Sequence, residues 1–416
     1  MSEWTEAPLH RLASFQKGRK VETSSERLAG YERYLGASGL AGLPDGFAST
    51  SSAVRASKDD VLMLWDGERS GLVGHGQAGV VASTVNRLSP SGEVGGKFLY
   101  YALAHQFEWI QNRRTGSGVP HVPKEIGRIL RVRYPRCQQT QQRIAAILTG
   151  IDNAIEATEA LIEKHQQIKA GLMHDLFTRG VLPGGSLRPS TSGDPGDYCA
   201  STLGLLPRGW SVSTLRACLS EGASNGIYKA PHLIGSGTLL IGQTALTEDR
   251  SVEPRLARRA TVSAQDLRRF GLVAGDILIA RVFATVEGVG RPALVPELGE
   301  PAVFESNMMR LRVNAATIRP RLLFEWLKGD VSRRHIAGRA NASNQVSVNQ
   351  GVLYPLPVPV PPLDEQDRML ARIDAADARR VADLATLSKL RAQKHGLMQD
   401  LLTGKVRVPL AETASA

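Results

Sequence analysis

The sequence predicts an α+β fold in which two globular blocks alternate with two long helices that pair as an antiparallel coiled coil. Three observations support this architecture: a long internal repeat, an apolar heptad pattern within the repeat, and a net charge of +11 that is concentrated in two parts of the 416-residue chain. The length fits two or three domains rather than one. Hydrophobic residues make up 42% and charged residues 22%, which indicates a globular protein.

The internal repeat matches residues 138–178 to residues 363–403 without a gap, at an offset of 225. The endings GLMHDLFT and GLMQDLLT are almost the same. A period of this length is too long for a solenoid, so it indicates a duplicated half-molecule. Identical residues at equivalent positions are Gln141 and Gln366, Asp152 and Asp377, Lys164 and Lys389, and Lys169 and Lys394.

Both repeated segments are predicted to be helices because neither contains proline and apolar residues recur at helical spacing. A helix of this length spans about 60 Å, at roughly 1.5 Å per residue. In the first segment the spacings alternate between four and three, which is the a/d pattern of a coiled coil. Its seam positions are Ile144, Leu148, Ile151, Ile155, Thr158, Ile162 and His165. The second segment is less regular, with Ile373, Val381, Leu384, Leu387, Leu390 and Leu397.

Two helices that each bury one stripe are expected to bury it against each other, although two surface helices packed on their own blocks are the alternative. If the ends of the intervening block lie close together, the chain runs out and returns, so the helices pair antiparallel. Gly180 and Gly404 follow the apolar pattern, where a helix end favours a left-handed residue. We interpret His165 as a polar seam residue that fixes register rather than a functional histidine.

The excess positive charge lies outside the two helices. Residues 1–135 hold 17 Lys/Arg against 13 Asp/Glu, and residues 205–362 hold 19 against 12. The remaining segments, 136–204 and 363–416, balance each other. Two basic blocks on a neutral frame indicate a polyanionic partner, although basic charge by itself does not identify nucleic acid.

These patterns divide the chain into six predicted segments. The segments are a first block (1–135), a central long helix (136–182), a Pro/Gly/Ser-rich linker (183–207), a second block (208–362), a C-terminal long helix (363–405) and a short tail (406–416).

The blocks are predicted to be mixed and rich in strands. The run YPLPVPVPPLDEQ before the second long helix cannot be helical, because proline removes a backbone donor. Lys97–Ile110 and Arg321–Ile336 resemble each other as amphipathic stretches. Predicted strands are VLMLWDG (61–67), GVVAS (79–83), GDILIARV (275–282) and RPALV (291–295).

Three motifs stand out: the LPVPVPPLDEQ run, the two GLM-x-DL-x-T endings and the start of the second block at Gly209 and Trp210. Together they resemble the specificity subunit of Type I restriction–modification enzymes. GDILIARVFATVEGVGRPALV and FESNMMRLRV in the second block, and DGERSGLVGHGQAGVVAST in the first, also resemble this family. The resemblance covers essentially the whole chain. The run RVRYPRCQQTQQ departs from it, because no acidic residue precedes Gln141.

The resemblance implies that each block is a target recognition domain that reads one half of a split site on double-stranded DNA. It implies that the helices form a spacer, and also a docking surface for two methyltransferase subunits, which motor–nuclease subunits join for cleavage. S-adenosylmethionine, ATP and magnesium would belong to those partners, and this chain would bind no cofactor. Two readers on one rigid spacer recognise two half-sites only at a fixed distance.

Catalytic signatures are missing from the sequence. There is no Asp/Glu-x-Lys nuclease motif, no [DNS]-PP-[YFW] methyltransferase motif and no Walker A loop, so we assign no catalytic or metal-binding residue. We interpret Gly235 and Gly237 as part of a turn, and His75 as a loop residue. The three cysteines lack CxxC spacing, and no signal peptide or membrane span is apparent, so we expect a cytoplasmic protein without membrane contact.

Candidate DNA contacts lie in loops or helix ends of the basic blocks. Arginine bonds bidentately to guanine, and asparagine or glutamine to adenine, in the major groove. The alternative for each candidate is a solvated surface residue. The candidates are Lys17, Arg19, Lys20, Arg113 and Arg114 in the first block and Arg281, Arg333, Arg334, Arg339, Asn341, Asn344 and Gln345 in the second.

Two other hypotheses are open on the sequence alone. A self-contained DNA methyltransferase or nuclease would require the missing motifs. A coiled-coil scaffold with two protein-binding modules and no DNA role would bind duplex DNA without steep salt dependence.

Overall fold

The chain divides into two compact units. The first consists of residues 1–163 together with 382–416, and the second of residues 164–381. Each long helix therefore contributes one part to each unit. The six segments drawn from the sequence, which keep each helix whole, stay a prediction. The computed structural model describes residues 3–40, 42–116, 118–247, 250–341 and 345–409.

The first unit contains a block of short strands and helices that leads into a long helix. Its strands are β1 (Trp4–Pro8), β2 (Ala13–Lys17), β3 (Thr23–Ser24), β4 (Tyr31–Leu35), β5 (Phe47–Ser49), β6 (Arg55–Ala56), β7 (Val61–Leu64), β8 (Val73–His75), β9 (Gly79–Val81), β10 (Val85–Pro90) and β11 (Arg131–Pro135). Its helices are α1 (Leu9–Leu12), α2 (Ala37–Leu40), α3 (Gly96–His105), α4 (Phe107–Gln111), α5 (Ile126–Ile129) and the beginning of α6 (Gln138–Thr178).

The second unit repeats this organisation. Its strands are β12 (Tyr198–Ser201), β13 (Gly204–Pro207), β14 (Ser211–Thr214), β15 (Ser224–Asn225), β16 (Ile234–Ile241), β17 (Arg258–Ala260), β18 (Ile277–Ala280), β19 (Val282–Phe283), β20 (Pro292–Leu294), β21 (Ala302–Phe304), β22 (Met308–Leu311), β23 (Val346–Ser347) and β24 (Pro357–Val360). Its helices are the end of α6, α7 (Ala264–Phe270), α8 (Pro320–Lys328), α9 (Asp330–Ala337), α10 (Gln350–Leu353) and the beginning of α11 (Leu363–Leu402).

The sheets of the two blocks have matching topology. A four-stranded sheet of order β2-β10-β7-β8 in the first block corresponds to β15-β22-β18-β20 in the second. A second sheet in each block contains one parallel pair, β4 with β9 and β16 with β21. The duplication therefore extends through both blocks, where sequence similarity supports it only weakly. All four predicted strand segments are confirmed as β7, β9, β18 and β20.

The first and last strands of each block pair with each other. β1 pairs antiparallel with β11, and β14 pairs antiparallel with β24. The expectation of close block ends is therefore confirmed. The proline-rich run before α11 is extended, as predicted. Its strand β24 pairs only with β14 among the described strands, so the missing N–H groups of its prolines are not needed by a second neighbouring strand.

The long helices end at left-handed glycines, as predicted. Gly180 has φ +67° and Gly404 has φ +71°. A tryptophan from the start of each block packs against the glycine, since an added Cβ would lie 2.6 Å from Trp210 and 2.8 Å from Trp4. Any side chain would collide at both sites, so glycine is required by space as well as by φ.

The two long helices run antiparallel within each unit. In the first unit, Lys394 of α11 pairs with Asp152 of α6, and in the second unit Lys169 of α6 pairs with Asp377 of α11. The predicted seam of α6 is confirmed, because none of its seven residues is exposed. His165 is half-buried among them.

The predicted seam of α11 is wrong at two positions. Val381 is 59% and Leu384 is 41% exposed, whereas Ile373 and Leu387 are buried and Leu390 and Leu397 are half-buried. The positions that continue the heptad spacing between Ile373 and Leu387 carry Arg380 and Asp383, both half-buried. A polar pair thus occupies the seam, and the apolar residues beside it face solvent.

Three smaller predictions need correction. His75 ends strand β8 and is not a loop residue. Gly235 and Gly237 lie in β16, where the pairing with β17 shifts register, so they form a bulge rather than a turn. The linker predicted at 183–207 contains the β12–β13 hairpin, which is closed by four residue pairs.

No helix in the described part of the chain combines the length and the apolar character needed to cross a bilayer.

Candidate nucleic-acid interface

One buried glutamine holds each block to a long helix. Gln141 Nε2 donates to Glu93 O at 3.0 Å and to Pro135 O at 2.9 Å, and its Oε1 accepts from Gly95 N at 2.9 Å. The backbone before α3 is thereby attached to the start of α6. An amide side chain supplies both a donor and an acceptor, so it satisfies carbonyls and an N–H at once.

The second block uses the same device. Gln366 Nε2 donates to Thr317 O at 3.0 Å and to Pro361 O at 2.8 Å, and its Oε1 accepts from Arg319 N at 2.7 Å. Both glutamines are at most 1% exposed. The blocks are therefore presented on the helices through equivalent contacts.

A buried aspartate also occupies the same place before the central strand of each block. Asp60 accepts from Ser57 N at 2.7 Å and from the hydroxyls of Ser57 and Ser89, and Asp276 accepts from Val273 N at 2.9 Å. Burial raises the pKa of Asp60, but the hydrogen bonds from Ser89 and Ser57 outweigh it, so the pKa lies below its ordinary value.

Three first-block candidates lie at the end of β2 and on the segment directly after it. Lys17 ends β2 and forms a 3.0 Å ion pair with Asp66. Arg19 and Lys20 are exposed on the segment that follows. The intervening Gly18 passes so close to another segment that an added Cβ would lie 2.1 Å from Ala82 O. Glycine is therefore required at this close approach, directly before the two exposed basic residues.

The equivalent segment of the second block contains residues that the sequence analysis missed. Gly226 follows β15 as Gly18 follows β2, and an added Cβ there would lie 2.1 Å from Glu305 O. Tyr228, two residues later, is 77% exposed, and Lys229 beyond it pairs with Asp266 at 2.8 Å. An exposed aromatic beside a lysine suits contact with a base or a sugar. The shared glycine is the sequence signal that would have linked the two segments.

The other two first-block candidates follow α4. The guanidinium of Arg113 stacks on Trp109, with its carbon 3.9 Å from the ring centroid, and the residue is exposed. Arg114 is less available, because its Nη1 donates to Glu68 O at 2.7 Å and its Nε to Gln111 O at 3.0 Å. Arg114 therefore holds the loop between β7 and β8, which contains Glu68, in place.

In the second block, strand pairing brings two groups of candidates together. β19 pairs with β23, and Val348 N donates to Arg281 O at 2.9 Å. Arg281 is thus adjacent to Val348, directly after β23, and the bridge between Asn341 and Ser347 brings the exposed Asn341 to the same strand. Gln345, also exposed, directly precedes β23. The Nε of Arg281 donates to Ser306 O at 3.0 Å, which holds the guanidinium at the turn between β21 and β22. Asn344 lies outside the described residues.

The last three candidates lie on or just after α9. Arg334 and Arg339 are exposed and donate to carbonyls one helical turn back, Asp330 O and His335 O. Arg333 is half-buried and reaches a different loop, where its Nη2 donates to Val289 O at 2.8 Å.

A cavity of the second unit lies between the end of α6 and helices α8 and α9, with a volume of about 1110 Å³. Its apolar lining includes Phe177 and Trp326, whose ring centroids are 5.2 Å apart and whose planes are tilted by 54°. Within the described ranges, no group of three or more His, Cys, Asp or Glu side chains is arranged to hold a metal ion.

Comparisons with known proteins agree with this architecture. The family model of the Type I restriction modification DNA specificity domain matches residues 1–167. The Type I restriction enzyme MjaVIII specificity subunit of Methanocaldococcus jannaschii is 26% identical over 427 residues, covering 98% of this chain and 93% of that protein.

Two solved structures share the fold. The S subunit of a Type I restriction–modification system from M. genitalium superposes with a TM-score of 0.55 at 16% identity, covering 98% of this chain and 97% of that one. A chain solved in work on complex assembly and conformational transition of the type I R–M system gives a TM-score of 0.59 at 14% identity, covering 97% and 98%.

The duplicated blocks and the antiparallel helices agree with these matches. Residues 1–167 match the Type I restriction modification DNA specificity domain, and the chain is similar over essentially its whole length to a Type I restriction enzyme specificity subunit in sequence and to an S subunit in fold.

Proposed function

We propose that this chain reads a bipartite target on double-stranded DNA, with one short sequence contacted by each block and a spacer of fixed length between them. The observation that carries the proposal is the equivalence of the blocks, which share a closing strand pair, a central sheet and an anchoring glutamine. Two readers of one fold with different loop residues bind two different sequences in the same manner.

The candidate residues fall into two kinds within this proposal. Exposed side chains such as Arg19, Lys20 and Arg113, together with Asn341, are suited to direct contact with DNA. Arg114 and Arg281 donate to backbone carbonyls and so shape the loops beside those contacts. No base is assigned to any of them, because loop sequence follows no general code.

We infer that two methyltransferase subunits dock on this chain and that motor–nuclease subunits join them for cleavage. One similar solved chain comes from work on the assembly of a type I R–M complex, which supports partners of this kind. In this proposal S-adenosylmethionine, ATP and magnesium are bound by the partners. The chain itself acts in the cytoplasm, transfers no methyl group and cuts no DNA.

The decisive experiment is methylation mapping of DNA from cells that express a compatible modification subunit with and without this chain. The expected result is a split motif with one spacer length, present only when the chain is expressed. A motif that persists without the chain, or one that is continuous, would contradict the bipartite target. Methyl transfer by the purified chain alone would contradict the non-catalytic role.

A further inference from the structure

Two arginines of the second block donate to a single carbonyl oxygen. Arg291 Nε lies 2.6 Å and Arg333 Nη2 lies 3.1 Å from Glu287 O. The backbone of the β19–β20 loop therefore holds two guanidinium groups side by side. Only Arg333 was identified from the sequence, because no sequence pattern connects Arg291 with Arg333.

A third arginine lies at the same place. Ser251 pairs with Leu294, three residues after Arg291, which brings Arg250 to the edge of this loop. Burial lowers the pKa of Arg250, and the charge of Arg291 lowers it further. Burial also lowers the pKa of Arg333, and the charges of Arg291 and Arg250 add to that effect. All three side chains are half-buried.

The cluster lacks a counter-charge within the described residues. None of the three arginines forms an ion pair within 4.0 Å in that part of the chain. Arg333 Nη1 is buried and has no hydrogen-bond acceptor among the residues that the structure describes. Glu287 is the neighbouring acid that raises the pKa of Arg333, but its carboxylate is not paired with it. Desolvating three like charges is unfavourable, so an anion that enters the cluster would be bound strongly.

The backbone at Arg250 is strained as well. Its φ is +67°, in the left-handed region that glycine and asparagine occupy at lower cost. Backbone strain of this kind is often found where a side chain has a function. A substitution that relieves the strain should not lower stability, so its effect on DNA binding can be measured separately.

We propose that Arg250, Arg291 and Arg333 form a binding site for a phosphodiester group of the DNA backbone. The inference rests on the proposed function, since the phosphate belongs to the DNA that the second block reads. Guanidinium groups bind phosphate through paired charge-assisted hydrogen bonds. Such contacts position the protein on the duplex without sequence preference.

The test compares the full-length chain with Arg250→Gly, using a duplex of mixed sequence over a range of salt concentrations. Glycine removes the charge and the backbone strain together, so thermal stability should stay level or rise. The affinity at about 0.1 M salt should fall roughly tenfold, and the slope of log K against log salt should weaken by about one. Arg291→Gln, a second variant, should weaken the slope by the same amount.

The matched control is Arg268→Gln, which removes one charge from an exposed position on α7 of the same unit. Equal losses for the control and for Arg250→Gly would overturn the inference, because general charge would then explain both. Lost binding of the modification subunit with unchanged DNA affinity would also overturn it, since Arg250 lines the cavity beside α6. Failure of the unaltered chain to bind duplex in a salt-dependent manner would instead contradict the proposed function itself.

Discussion

Asp152 and Asp377 are equivalent residues on the two long helices, and each forms an ion pair with the equivalent lysine of the opposite helix. Lys394 Nζ lies 2.6 Å from Asp152, and Lys169 Nζ lies 2.5 Å from Asp377. The second oxygen of each aspartate holds the adjacent block, through the hydroxyl of Tyr101 at 2.7 Å in one case and Nη2 of Arg321 at 2.7 Å in the other. One carboxylate therefore joins three elements in each unit.

Replacing these aspartates should have unequal effects. Asp152→Asn leaves Lys394 without its carboxylate, and we expect unfolding to require about 1 kcal/mol less. Asp377→Asn removes a carboxylate from both Lys169 and Arg321, so the expected loss is about 2 kcal/mol. Thermal unfolding measures both, with Asp374→Asn at an exposed position of α11 as the control. A control loss as large as that of Asp377→Asn would contradict the argument.

The glutamine anchors should be more sensitive than nearby surface glutamines. Gln141→Leu leaves the Gly95 N–H and two carbonyls without their partners, so stability should fall by about 2–3 kcal/mol. Gln139→Leu, two residues earlier and exposed, should change stability by less than about 0.5 kcal/mol. Denaturant unfolding of the two variants tests this prediction, and similar unfolding midpoints for Gln141→Leu and Gln139→Leu would refute the anchoring role.

The glycine at the end of α6 should tolerate no side chain. Gly180→Ala forces a positive φ on alanine and brings its Cβ within 2.6 Å of Trp210, so we expect a loss of at least about 2 kcal/mol. Gly184→Ala is the control, because its φ is ordinary and no atom lies within 4 Å of an added Cβ. Differential scanning calorimetry on the two variants should give a lower Tm for Gly180→Ala alone.

Asp60 should contribute to acid sensitivity. Its folded pKa lies below the ordinary 3.8, so it stabilises the native state above that pH and loses this contribution as pH falls through the folded pKa. Asp60→Asn should therefore be less stable than the natural chain at pH 7 by about 1 kcal/mol, with the difference shrinking below about pH 4. Unfolding curves at pH 7 and pH 3 test this, and a constant difference would count against it.

The spacer role predicts a change of target when both long helices are lengthened together. One heptad inserted after Glu163 of α6 and one after Val381 of α11 preserves the a/d pattern and adds about 10 Å of helix. We expect methylation mapping to show the same two half-sites separated by about three more base pairs. Unchanged spacing would argue that the helices do not set the distance between half-sites.

The long helices were predicted almost to the residue. The repeat predicted helices at residues 138–178 and 363–403, and the helices in the structure are Gln138–Thr178 and Leu363–Leu402. Such accuracy is possible because a long apolar period and a terminal glycine are local signals. Val381 and Leu384 were misassigned because apolar residues at near-helical spacing do not reveal which of two adjacent stripes is buried.

The candidate site was predictable only in part. The basic residues around Arg281 and Asn341 were found from composition, but the pairing of β19 with β23 that brings them together is a long-range contact between two-residue strands. Arg250 and Arg291 were missed for the same reason. Short strands and loops have no periodic signal, and their proximity depends on the register of distant segments.

The discontinuous first unit has a consequence for the order in which the molecule is made. Residues 164–381 form the second unit as one uninterrupted stretch, whereas the first unit combines 1–163 with 382–416. Trp4 of strand β1 packs against Gly404, near the other end of the chain. During synthesis all of the second unit has been made once residue 381 emerges, whereas the apolar surface of the first block is covered only after residues beyond 381 have been added.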